Sequence, residues 1–172
     1  WSFWVDSRAS SGSFTQTGTL FPGDVPYGGH GGDIDADGDL DLCIPNENSS
    51  DVSVYLNQGS GTFGPELTYG VGFHCSSNEA ADFDHDGDVD LVVANILDDD
   101  VSVLLGNGDG TFQPQQRYSS GFEPRGVAVL DADGDGDRDI VTANCVSSDL
   151  SLFWNAGARV FSAEVRFNGG LN

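Results

Sequence analysis

Fifteen aspartates fall in three short stretches of the chain: DIDADGDLDL from Asp33, DFDHDGDVDL from Asp82 and DADGDGDRDI from Asp131. Each follows the pattern D-x-D-x-D-G-x-x-D. Carboxylates this close repel one another by about a kilocalorie per mole or more per pair at intermediate dielectric, and a bound dication reverses the sign. The pattern sets side-chain oxygens at positions 1, 3, 5 and 9, with glycine at position 6 for a sharp turn, as in the opening of a helical calcium-hand loop. The helical version needs a glutamate at position 12, where this chain has Ile44, Val93 and Thr142. The ninth-position aspartate must then close each site, and the seventh is expected to offer its backbone carbonyl. The expected ligand sets are Asp33, Asp35, Asp37, Asp39 and Asp41; Asp82, Asp84, Asp86, Asp88 and Asp90; and Asp131, Asp133, Asp135, Asp137 and Asp139. Oxygen ligands without His or Cys at these positions point to three Ca²⁺ sites rather than Zn²⁺. A solvated acidic turn is the plain alternative, and three copies in one register argue against it. Such loops are expected to be floppy without the ion and rigid with it.

The elements that hold these loops repeat with them. Asp33, Asp82 and Asp131 are spaced 49 residues apart, and so are Asn46, Asn95 and Asn144; Asp51, Asp100 and Asp149; Ser53, Ser102 and Ser151; and Phe63, Phe112 and Phe161. A period of this length signals a propeller or a solenoid. In the third unit GVAVLD enters the acidic loop, DIVTAN leaves it, DLSLFWN alternates, and VFSAEVRF reads as a fourth strand. Turn sequences rich in Gly and Asn (NQGSGTF, GNGDGTF, NAGARVF) separate strands three and four. Four strands per repeat and no helical pattern predict an all-β chain of β-propeller blades. The expected divisions are 1–27 (outer half of a preceding blade), 28–76, 77–125 and 126–172. In the first full unit GGHGGD replaces the apolar first strand, which is expected to be weak or bent there.

Bulk properties bound the function. The 172 residues carry 28 acids against 6 bases, all arginine, for a formal charge of −22. That field repels phosphate backbones and excludes nucleic acid as an expected partner. The acidity is mostly local: the three loops hold fifteen of the acids, and the remaining thirteen are set against the chain's six arginines. No apolar run approaches the roughly 20 residues of a membrane helix. The chain starts at Trp1 and contains no Met, which reads as a processed or truncated product.

DFDHDGDVDLVVAN (82–95), DDVSVLLGNGDGTF (99–112) and the Gly-Phe-x-Pro of GFEPRGVAVLDAD (121–133) resemble the FG-GAP/VCBS repeat, the blade unit similar to those of integrin α-chain propellers. The resemblance covers nearly the whole chain. It implies a calcium-bearing propeller, extracellular or on a cell surface, whose relatives mostly bind adhesion partners or, in some lectins, sugars. The first unit departs from the pattern at its first strand, and Cys75 stands where Pro26 and Pro124 stand.

A blade of this kind puts the acidic loops and Gly-rich turns at one end. The other end carries the loops 46–51, 95–100 and 144–149 and the connectors 21–28, 70–77 and 119–126. The first end repeats almost verbatim; the second varies, as a binding surface would. Tyr27, His74, Phe122 and Arg125 are the candidate ligand-binding residues there, for a glycan or a protein. The competing reading has Phe73 and Phe122 plugging gaps between blades and Arg125 paired with a local acid. The recurrent Asn and Asp are expected to bond loop backbone. No catalytic residues are assigned: His30, His74 and His85 have no evident Ser or Cys partner, so the chain reads as a non-enzyme. Cys43 aligns with Val92 and Val141 as a buried small hydrophobe, while Cys75 and Cys145 share the variable end and leave a pairing open. Asn48-Ser49-Ser50 is a glycosylation sequon. Three blades expose apolar faces, so the expected partners are further blades of one propeller or further copies of the chain.

Overall fold

The computed structural model describes residues 18–59, 61–157 and 160–168. Most of the expected N-terminal half-blade lies outside these residues. The first unit holds β1 (His30–Gly32), β2 (Asp41–Asn46), β3 (Asp51–Tyr55) and β4 (Leu67–Gly70). The second holds β5 (Cys75–Ala81), β6 (Asp90–Asn95), β7 (Asp100–Leu104) and β8 (Gln116–Ser119). The third holds β9 (Pro124–Leu130), β10 (Asp139–Asn144), β11 (Asp149–Phe153) and β12 (Val165–Asn168). Each set is a four-stranded antiparallel sheet in chain order, and no helix occurs among the described residues.

The middle strands form because their residues are apolar, β-branched and covered on both faces. In β6 all six residues of DLVVAN are buried, and in β7 all five of DVSVL. β1 has three residues, because HGG offers little side chain to pack. β5 and β9 begin at Cys75 and Pro124, slightly ahead of residues 77 and 126. Their pairing with β6 and β10 slips by a bulge near Asn95 and Asn144.

The fourth strand is shorter than its sequence pattern. VFSAEVRF does not run as one strand: Phe161 makes an isolated bridge with Asn155, and β12 begins only at Val165. The cause lies between them, where Glu164 turns inward to accept a hydrogen bond from the Ser151 hydroxyl.

Two apolar cores join the three sheets. The first holds Ile34, Cys43, Val52 and Val54 against Leu91, Val93, Leu104 and Phe112. The second holds Phe83, Val92, Val101, Val103 and Leu105 against Ile140, Phe153 and Phe161. Ile34 and Phe83 occupy the second position of their acidic loops, so each loop plants one side chain in the core shared with the next unit. Complete burial of a phenylalanine such as Phe83 contributes roughly 1.5–3 kcal/mol. Aromatic edges recur at these seams: Tyr69 meets Phe112 at 5.3 Å and Tyr118 meets Phe161 at 5.4 Å, both edge-on.

Candidate metal centres

Each acidic loop is a chain of turns closed by its own carboxylates. The position-6 glycine donates to the first aspartate (Gly38 to Asp33, Gly87 to Asp82, Gly136 to Asp131, all 3.1 Å). The seventh residue donates to the fifth (Asp39 to Asp37 2.9 Å, Asp88 to Asp86 3.0 Å, Asp137 to Asp135 2.9 Å). The glycine is required because φ there is 94°, 92° and 100°.

This folding gathers oxygens. Asp33, Asp35 and Asp37, then Asp82, Asp84 and Asp86, and then Asp131, Asp133 and Asp139 each bring one oxygen per residue within 4.8 Å of the others, a grouping that can hold a metal ion. One observation tests the fit: Asp33 Oδ1 and the equivalent Asp82 Oδ1 are buried and accept no hydrogen bond from the described residues. A buried carboxylate oxygen without a donor is costly, and a cation beside it removes the cost. An all-oxygen donor set fits a hard cation.

The third loop differs. Gly134 stands where Ala36 and His85 stand, and its N–H donates to Asp131 Oδ1 at 2.7 Å. The oxygen left open in the other two loops is engaged here, and Asp131 and Asp133 are exposed.

The ninth-position aspartates are fully buried and do more than face the loop. Asp41 accepts from Ile34 N and Asn57 N, both at 2.7 Å. Asp90 accepts from Phe83 N and Gly106 N, both at 2.8 Å, and Asp139 from Ala132 N at 2.8 Å and Asn155 N at 2.9 Å. They tie the acidic loop to the turn between strands three and four. Burial pushes the Asp90 carboxyl up to about 6 despite these two donors. The seventh-position side chains point to the same turn: a Cβ added at Gly108 would come within 2.4 Å of Asp88 Oδ1.

At the opposite end the recurrent Asn and Asp bond each other, and Asn95 also accepts from the connector backbone at Gly72 N, 3.1 Å. Asn46 Nδ2 donates to Asp51 and to Ser53 Oγ, both at 2.7 Å. Asn95 repeats this with Asp100 and Ser102, and Asn144 with Asp149 and Ser151. Glu66, Gln115 and Glu164 complete each cluster on the serine hydroxyl. These three also keep the 49-residue step, which is the signal that could have found them; that they reach the serine only the fold shows. Arg117 and Arg166 add a cation to the second and third clusters, where the first unit has Thr68. The asparagines and serines of the clusters are buried, and most of their polar groups are paired within the cluster, which fits an architectural role; Asn46 Oδ1 accepts no hydrogen bond from the described residues.

The variable end presents the candidate ligand residues. Tyr27 and Arg125 line one small cleft together with Glu47, Ser76 and Ile96. His74 Nδ1 lies 3.1 Å from Glu47, and Arg125 pairs with Glu123 at 3.0 Å, so the local-acid pairing expected for Arg125 is present. Phe73 and Phe122 do not plug gaps: they are 65% and 57% exposed. The cysteines are free thiols, with Cys43 and Cys75 buried and Cys145 exposed. A separate cavity of about 620 Å³ opens between the second and third units at the acidic-loop end, walled by Glu79, Asp82, His85 and Arg138 among others.

Side-by-side antiparallel sheets of four strands, each carrying the same acidic loop, define a β-propeller repeat protein. The chain belongs to the FG-GAP-like repeat family, which matches residues 33–93 and again 82–142. No curated protein matches the chain. Among solved structures it is similar to a lectin of Agrocybe aegerita described as recognising non-reducing terminal N-acetylglucosamine, at 23% identity and a TM-score of 0.58. It is also similar to the Tc holotoxin pore of Photorhabdus luminescens, at 20% identity and a TM-score of 0.50. The matches cover 81% and 83% of this chain but only 37% and 7% of the other two. At these identities the likeness is one of fold.

Proposed function

We propose that the chain is a calcium-stabilised β-propeller module, extracellular or on a cell surface, that binds carbohydrate at the end opposite its acidic loops and carries out no catalysis. The observation that carries the calcium part is the pair of equivalent buried oxygens, Asp33 Oδ1 and Asp82 Oδ1, left without donors. Calcium would supply the charge that lets three carboxylates share one loop. The chain's own residues do the rest. Ile34 and Phe83 sit in the loops and in the cores between units, and Asn155 Nδ2 holds the carbonyl of Phe83 at 2.6 Å across a boundary. Ordering a loop therefore fixes a unit against its neighbour and fixes the spacing of the variable loops.

Two facts support carbohydrate. The variable end offers rings beside charged groups, Tyr27, His74, Phe122 and Arg125 among them, and a neutral polyol is not repelled by a chain of charge −22. The similar Agrocybe structure is a lectin. The test is a screen of immobilised oligosaccharides in millimolar calcium and again in chelator. Binding in calcium and none in chelator is the expected result. No glycan bound in either condition would leave the acidic loops as pure architecture.

A further inference from the structure

Phe73, in the connector that enters the middle unit, and Leu97, in that unit's loop, lie where there is a neighbouring unit on each side, yet they are 65% and 58% exposed. Their exposure is not an effect of an open end. Nor are they on slack chain: Leu97 N donates to Phe73 O at 3.2 Å, and Phe73 N donates to Asp98, whose carboxylate is held by Arg117. The third unit repeats the arrangement. Phe122 and Val146 are 57% and 60% exposed, Val146 N donates to Phe122 O at 3.2 Å, and Phe122 N donates to Ser147 Oγ at 3.0 Å. The first unit keeps the backbone pairing but replaces both side chains by polar ones, Asp24 and Asn48.

A basic–acidic pair accompanies each ring: His74 with Glu47 beside Phe73, and Arg125 with Glu123 beside Phe122. His74 and Glu123 both take a left-handed backbone, φ 54° and 51°, immediately after their phenylalanine. The same three chemical parts thus occur twice: a fixed exposed ring, an aliphatic neighbour, and a donor–acceptor pair.

We propose that these are two monosaccharide subsites, one entering the second unit and one the third, built from like parts with their charged pairs at different positions of the repeat, and that the connector into the first unit forms none. The inference rests on the carbohydrate reading and names its contacts. The ring and aliphatic chain suit the C–H face of a pyranose, the carboxylate accepts from neighbouring hydroxyls, and the His or Arg donates to a ring or acyl oxygen. A protein partner of standard size covers about 800 Å² in one patch. Here the apolar pairs are small, separated by charged residues and absent from the first unit. A second copy of the chain brings its own net negative charge to an acidic face.

The experiment compares the wild type, F73A, F122A and the double variant on the immobilised oligosaccharides that the wild type binds, with calcium present. Both rings are exposed, so the melting temperature and calcium stoichiometry are expected to stay unchanged and serve as the folding control. Each single variant is expected to lose about tenfold in affinity, and the double variant to lose binding. Changing Asn48 to Ala is expected to have no effect. A double variant that binds as the wild type does overturns the two-subsite inference while the carbohydrate reading stands, all the more if R138A, in the acidic-end cavity, removes binding instead. A wild type that binds no oligosaccharide overturns both.

Discussion

His85 Nε2 lies 2.6 Å from Asp137 Oδ1, so the second acidic loop touches the third across the boundary between units. The hydrogen bond to Asp137 raises the histidine's pKa above its ordinary value, with the nearby Asp82 and Asp84 charges adding to it. A raised folded pKa means that the contact favours the fold below the unfolded value of about 6.5 and is lost as pH rises through the folded value. In calcium-free protein, the His85 titration followed by NMR is expected to have its midpoint above 6.5. Replacing Asp137 with Asn is expected to bring it down; an unmoved midpoint would show that the contact does not exist in solution.

Calcium titration by calorimetry is expected to give three sites per chain with one weaker than the rest. The weak one is the third, where Gly134 N already occupies Asp131 Oδ1. D82N should remove a tight site and D131N the weak one. At 100 times its dissociation constant each independent site adds about 2.7 kcal/mol to stability. Three equal affinities would contradict the distinction between the loops.

Asp90 gives a pH dependence of its own. Its folded carboxyl is pushed up to about 6, above the ordinary aspartate value, so the metal-free fold binds this proton more tightly than the unfolded chain does. Stability from this group is complete below about 4 and falls away as pH rises to about 6. Urea midpoints of chelated protein, wild type against D90N, should show the variant's profile flatter in that window. D90N also leaves one of two backbone donors without its carboxylate oxygen and is expected to cost about 1–3 kcal/mol. A calcium-binding enthalpy at pH 5.5 that does not vary with the buffer's ionisation enthalpy would argue against a proton released on binding.

Removing Arg117 leaves Asp98 and the buried Asp100 side by side without their cation. A fully buried pair broken this way costs about 3–5 kcal/mol, and the guanidinium's partial exposure reduces that. R117A is expected to lower stability by about 1–2 kcal/mol. R117K should restore only part of it, since a point charge cannot reach both carboxylates with a fork. Denaturant unfolding of the three proteins would decide, and an unchanged R117A would mean that Asn95 alone suffices for Asp100.

Much of this was legible in the residues. The 49-residue step places β2, β6 and β10 at Asp41, Asp90 and Asp139, because acidic loop, apolar run and turn all carry strong local signals. The break in VFSAEVRF was not, since it depends on Glu164 reaching the distant Ser151. The double duty of Asp41, Asp90 and Asp139 was hidden for the same reason: their donors Asn57, Gly106 and Asn155 come from a turn that only the fold brings near. The exposure of Phe73 and Phe122 ran against composition, which favours burying aromatic rings; the pinned backbone of the connector decides it instead.

The seams between units carry one more consequence. Tyr69 reaches forward to Phe112, and Tyr118 in the next unit reaches forward to Phe161 in nearly the same geometry. Each unit therefore offers on one side what it accepts on the other. A duplicated unit spliced in at either seam would replace the one ring contact that the splice interrupts with two of the same kind. A segment of any other length would bring the wrong side chains to the seam. The array is built to change size in whole repeats.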